Sequence, residues 1–138
     1  MFKQAISATC LACLVIAAAP VTADPDAGAY LAARQADNAN DFMVSTQYLT
    51  KALQADPTNL AIAENAMRSL IALGQIDRAE PIARAVVEQG NNNLIATLTL
   101  SIANAKAGNW SGILEELDAG RSISPLVDGL SRGWAHLG

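Results

Sequence analysis

The sequence predicts an all-α protein built by stacking antiparallel helix pairs, and three observations predict it. Residues of like size recur every 34 positions, apolar residues within each unit follow helical spacing, and no alternating apolar–polar run long enough for a half-buried strand occurs. Composition agrees. Hydrophobic residues make up 51% of the 138, mostly aliphatic, and aromatic residues only 4%. Such a chain fills its core with small and branched side chains rather than rings.

The first 23 residues stand apart from this pattern. Lys3 is their only charge, "AISATCLACLVIAAAP" is a continuous apolar run, and Val21-Thr22-Ala23 supplies small residues ahead of Asp24. A charged start, a short apolar core and an A-x-A-like site make a secretory signal peptide of bacterial type, with cleavage after Ala23. The run is short of the ~20 residues a membrane-spanning helix needs. Cys10 and Cys13 are the only cysteines, and both lie inside it. The mature chain is therefore expected to hold no disulfide, no thiolate chemistry and no zinc–thiolate site, and one histidine cannot build an imidazole cluster. Without Lys3, eight basic face thirteen acidic side chains, a net charge of about −5. That balance excludes a phosphate-binding surface of the kind nucleic acids require. The expected location is periplasmic or secreted, with no stable membrane insertion after cleavage.

About 115 residues then remain for one domain, 24–138, divided into units of about 26–59, 60–93 and 94–127 and a partial fourth at 128–138. Four columns set the period. Ala33, Met67, Ser101 and Ala135 are 34 apart; so are Ser45, Ala79 and Ile113, then Ala52, Val86 and Gly120, then Pro57, Asn91 and Pro125. Gly74 and Gly108 share the step, and Asn40 takes the same place in the first unit, where a left-handed residue is expected. Turns are expected near 38–41, 74–76, 90–92 and 108–110. In the second unit Leu60, Ala63, Met67, Leu70 and Ile71 form the first helix's apolar stripe. Asp77 with Glu80 reads as a capping box for the second, which buries Ile82, Ala83, Val86 and Val87 and stops at Gly90. Pro81 is placed in its first turn, where a missing N–H costs little. The third unit has Leu94, Leu98, Ile102 and Ala105, then a turn, then Ile113, Leu114 and Leu117. Gly120 is expected inside that last helix, at a cost of about 1 kcal/mol relative to alanine. Val127, Leu130, Trp134 and Leu137 stripe the fourth unit's helix, and without a following partner helix Leu130, Trp134 and Leu137 are expected to be partly exposed.

"GLSRGWAH" at 129–136 contains G-x-S-x-G, the nucleophile-elbow pattern, followed by His136. The elbow requires a strand leading into a sharp turn at the serine. Here the serine falls on a helix, and the histidine follows five residues later with no acid between. No catalytic residue, cofactor or metal site is expected. Trp110 and Trp134 read as packing residues.

The 34-residue helix–turn–helix unit resembles the tetratricopeptide repeat. The resemblance rests on small residues at close approaches (Ala33, Ala52, Ala79), the turn glycines Gly74 and Gly108, and above all "YLTKALQADPTN", which follows the family's end-of-repeat pattern. It covers about residues 26–138. Departures are the absent turn glycine in the first unit, Asn91 in place of proline, and Gly120 where alanine is usual. The resemblance implies a right-handed solenoid of about three repeats plus the first helix of a fourth. It also implies a groove lined by first helices that holds a protein or peptide partner. Carried over, the groove columns give Tyr30, Arg34, Asp37 and Asn38, then Glu64, Arg68, Ile71 and Ala72. The third unit gives Ile95, Leu98, Ile102 and Lys106, and the fourth Arg132 and His136. The family's clamp of paired lysines and asparagines is not reproduced. The implied function is a non-catalytic interaction scaffold of the bacterial cell envelope. The alternative is the exported N-terminal repeat region of a longer protein whose enzymatic or anchoring part lies elsewhere, a reading that the ending "GWAHLG" suggests.

Overall fold

A computed structural model describes residues 25–137, with side chains from Gly28 onward. The expected leader, its cleavage site and the two cysteines lie outside the described residues. Seven helices follow in order: α1 (Pro25–Asn38), α2 (Phe42–Ala55), α3 (Leu60–Ala72), α4 (Ile76–Glu88), α5 (Leu94–Lys106), α6 (Trp110–Asp118) and α7 (Pro125–Leu137). Strand is absent among the described residues. The architecture is an all-α solenoid of helix pairs.

Asn and Asp side chains start most of these helices. Asp41 accepts from the Val44 N–H, Asn59 from Ile62, Asn93 from Ile95 and Ala96, and Asn109 from Gly112. Each satisfies a donor that the first turn leaves without a helical partner. The stops are equally local. Asn40, Gly74, Gly90, Gly108 and Gly120 have φ of 57, 69, 77, 68 and 78°. The residue after each donates back to a carbonyl five positions earlier, as Gln75 does to Leu70 at 2.9 Å and Asn109 to Asn104 at 2.8 Å. These are Schellman closures, and a left-handed residue is their requirement.

Three expectations about helix ends need correction. Gln75, not a capping box, precedes α4, and its side chain makes no cap; Asp77 and Glu80 instead pair with Lys106 and Arg84. Pro81 is the sixth residue of α4, so its missing N–H falls in the second turn and leaves the Asp77 carbonyl without its helical donor. Gly120 lies beyond α6, terminating it after nine residues where α4 has thirteen. α6 is four residues shorter than α4 and the loop after it only one residue longer, so α7 begins at Pro125, three residues before the expected boundary at 128. Ser124 accepts from the Val127 N–H at 3.3 Å and Pro125 takes the first helical position, a strong start signal.

The core sits between the pairs and is built on small residues. One cluster joins Ala29 and Ala33 of α1, Leu49 and Ala52 of α2, and Ile62 and Ala66 of α3. A second joins Ala63, Met67, Ala83, Val86, Ala96 and Leu100 across α3, α4 and α5. The Ser45, Ala79, Ile113 column is buried throughout. In α5 the expected stripe of Leu94, Leu98, Ile102 and Ala105 is not the packed face. Ala96, Thr97, Thr99, Leu100, Ala103 and Asn104 are buried instead, while Leu94 is 53% exposed. Alanine and threonine make up most of the packed face, with Leu100 the one large apolar side chain among them.

Candidate partner-binding groove

The first helices α1, α3, α5 and α7 carry every residue expected to line a groove, and the structure divides these residues into two clefts and a set of ties. The first cleft, of about 360 Å³, is polar and lies between α1 and α3. Tyr30, Arg34, Asp37 and Asn38 line it with Asn65, a residue the column reading missed. Arg34 and Asn38 are exposed, and Tyr30 rests its ring on the first core cluster. Beneath them runs a buried polar chain. Ser69 Oγ donates to Asp37 Oδ1 at 3.0 Å, and Ser45 Oγ lies 3.2 Å from Ser69 Oγ. Ser69 has one hydroxyl proton and gives it to the carboxylate, so Ser45 is the donor to Ser69. The chain links α1, α2 and α3 and holds the Asp37 carboxylate at the cleft floor. Asn65 is fixed by donation of its amide N–H to the Ala61 carbonyl, which leaves its side-chain oxygen as an acceptor. The cleft therefore offers a guanidinium fork, amide groups and one carboxylate: a surface for polar and acidic side chains.

The second cleft, of about 300 Å³, is apolar and lies between α5 and α7. Leu98, Ser101, Ile102 and Ala105 form one wall; Val127, Leu130, Ser131 and Trp134 form the other, with Trp110, Ile113 and Ile123 closing it. Leu98 and Ile102 were expected. The aromatic and α7 contributions were not, because Trp110 and Trp134 read as packing residues. Trp110 is half-buried at the start of α6, whereas Trp134 is 66% exposed. The expected exposure of the α7 stripe is observed, with Leu130 at 58% and Leu137 at 83%. Ser131 sits within helix α7 on the apolar wall and His136 is exposed one turn further on, so the strand-to-turn geometry of an elbow is not formed at this serine.

Several expected groove residues serve as ties between helices. Glu64 accepts from Asn93 Nδ2, binding α3 to the cap of α5. Lys106 Nζ lies 2.7 Å from Asp77 Oδ1, binding the end of α5 to the start of α4. Arg132 lies 2.9 Å from Asp118 at the end of α6. Arg68 is exposed on α3, Ile71 half-buried beside it and Ala72 exposed, while Ile95 packs on the second core cluster. None of these ties was visible in sequence, since both α3–α5 and α4–α5 partners stand 29 residues apart.

Among the described residues no group of histidine, cysteine, aspartate and glutamate is arranged to hold a metal ion, and no helix is long and apolar enough to cross a membrane. A family model described as tetratricopeptide repeat matches residues 30–102. That span runs from the first groove residue, Tyr30, to Ile102 in the apolar cleft. No curated protein matches the chain at a significant level.

Proposed function

The chain belongs to the tetratricopeptide repeat family, and on that premise we propose that it is a non-catalytic protein-interaction scaffold of the bacterial cell envelope. Its repeats hold a partner segment along the first-helix face. Repeats of this family generally mediate protein–protein interaction. The envelope location rests on the apolar leader and the small residues before Asp24. A single observation carries the binding reading: the two clefts on this face differ in chemistry. Arg34 and the amides of Asn38 and Asn65 lie at one, and Leu98, Ile102 and Trp134 at the other. A partner segment with acidic side chains toward one end and aliphatic or aromatic ones toward the other suits both, either extended or as an amphipathic helix.

The test is the double change Arg34→Glu and Arg68→Glu, two cationic positions in one column of adjacent repeats. Both side chains are exposed, so folding is expected to be little affected. Partner binding is expected to weaken more than tenfold, about 1.4 kcal/mol. A partner recovered from envelope extract by pull-down is titrated against both proteins. Equal affinity for two folded proteins would move the interaction to the opposite face, built by α2, α4 and α6.

A further inference from the structure

Asp37 places its carboxylate where a helix does not favour one. It lies in the last turn of α1, near the carbonyls that make a helix end negative, and no basic residue shares that turn. The carboxylate is nevertheless held firmly from below. Ser69, 1% exposed, donates to Oδ1 and is itself backed by the fully buried Ser45. Its other side is open: among the described residues Oδ2 accepts no hydrogen bond, and neither Asp37 nor Arg34 belongs to an ion pair. Arg34 stands one turn away on the same helix without pairing with it. Base before acid is the weaker order on a helix, and a long side chain leans toward the N-terminus, away from residue 37. The cleft between α1 and α3 thus contains one unpaired guanidinium and one unpaired carboxylate, about a helical turn apart.

We propose that this cleft reads two charges at once: Asp37 takes a lysine or arginine side chain of the partner segment, and Arg34 takes an acidic side chain beside it. The proposal rests on the partner-segment reading and adds a cationic requirement to it. Charge complementarity points the same way. The expected mature chain has a net charge of about −5, so its field draws basic residues and repels a purely acidic segment. Arg34 by itself would ask for such a segment. A segment bearing both signs satisfies the cleft and the field together. Opposite charges become neighbours on a helical segment at a spacing of about three or four residues, and on an extended one at about two. Either matches the one-turn step from Arg34 to Asp37. Asn65 Oδ1 supplies a further acceptor on the cleft wall for the cationic group. The Ser45–Ser69 chain fixes the carboxylate before the partner arrives, which lowers the cost of ordering it on binding.

The probe is a library of random short peptides displayed on phage and selected on the purified protein. Enriched sequences are expected to carry a basic and an acidic residue at one of these spacings. One selected peptide, and the same peptide with glutamine at its basic position, are then titrated against wild type and Asp37→Asn. Asparagine keeps an acceptor for Ser69, so circular dichroism is expected to be unchanged. Asp37→Asn is expected to weaken the basic peptide by about threefold or more and to leave the glutamine peptide as it was. Such a cycle isolates the contact from any general effect on the cleft. Asn65→Asp leaves the serine chain untouched and adds a carboxylate, so it is expected to strengthen the basic peptide should Asp37→Asn disturb folding. Enrichment in acidic residues alone would overturn the proposal and spare the partner-segment reading, as would an equal loss for both peptides or no gain with Asn65→Asp. Failure to select any peptide would remove that reading and this proposal with it.

Discussion

The 34-residue step runs from α1 to the start of α6, yet the regions α1–α4 and α5–α7 close differently. In the first, alanines at Ala33, Ala52 and Ala79 let the helices meet, and each helix is packed on neighbours from more than one pair. In the second, α6 is nine residues long, and α7 buries one side chain, Ala135, while its apolar stripe stays in solvent. A repeat period therefore places most helix starts, local signals such as the Gly120 stop and the Ser124–Pro125 start override it, and the residues at the contacts decide how much each helix buries. The packed region keeps its polar groups in closed chains such as Ser45–Ser69–Asp37. The open region leaves an aromatic and aliphatic surface available for binding.

Core truncation tests this contrast with the largest effect. Met67 and Leu49 are fully buried, and replacing either with alanine leaves a cavity bounded by helices that cannot collapse onto it. The expected loss is about 3 kcal/mol in urea unfolding. Trp134→Ala, despite removing more atoms, is expected to cost under about 0.5 kcal/mol, because most of that ring is already in water. Comparable losses at Met67 and Trp134 would mean that α7 is as firmly packed as α3.

Much of the architecture was legible because some positions admit few residues. A Schellman closure requires a left-handed residue, so Asn40, Gly74 and Gly108 marked three helix ends directly. Helices in close contact need small side chains, so the Ser45 and Ala33 columns marked buried positions in the first two units. The errors arose where the period was carried past a local signal. Stepping 34 residues placed Gly120 on Ala52 and Val86 inside a helix, and Pro125 on Pro57 in a loop. The Ser124–Pro125 start and the Gly120 stop are physically stronger than the step, and they shortened α6 and advanced α7. In α5, apolar residues occur all round the helix, so spacing alone could not tell the packed face from the cleft wall. Tyr30, Arg34, Asp37 and Asn38, taken from the groove columns, line a single polar cleft. The ties of Glu64, Lys106 and Arg132 were not legible, because a hydrogen bond or ion pair across helices depends on rotamers and approach distances that a column does not encode.

Gly120→Ala sharpens the comparison by sign. A glycine inside a helix is improved by alanine, so the position implied by the period predicts a gain of about 1 kcal/mol. At φ of 78° beyond α6 the same change forces a Cβ into left-handed backbone. It is expected to destabilise by about 1 kcal/mol. Gly74→Ala in the packed region supplies the reference, having the same conformation at φ of 69°. A stabilised Gly120→Ala protein would return the residue to a helix interior and lengthen α6.

The smallest expected effect concerns acid and the clasp at the start of α7. Asp128 accepts from Ser122 Oγ and from the Ile123 N–H at 3.0 Å, tying the loop after α6 to the first turn of α7. The Ser122 hydrogen bond, then that of Ile123, holds its carboxyl below the usual carboxylate range. Bonds made to the charged form favour it in the folded chain, so on acidification the unfolded chain takes up the proton first. The clasp therefore contributes above about pH 4, the ordinary carboxylate value, and is lost as pH falls through the folded value. Asp56, held low first by Asn59 and then by Thr58, makes the matching clasp between α2 and α3, but there the flanking helices are also secured by the core. α7 has little else beyond its contact with α6 and the Arg132–Asp118 pair. Its release is expected to precede global unfolding, so tryptophan emission should change at a higher pH than helical ellipticity. Asp128→Asn is expected to bring that early change to neutral pH, and Asp56→Asn to leave the emission profile as it is. Coincident emission and ellipticity transitions in the wild-type protein would show that α7 is held as tightly as the helices before it.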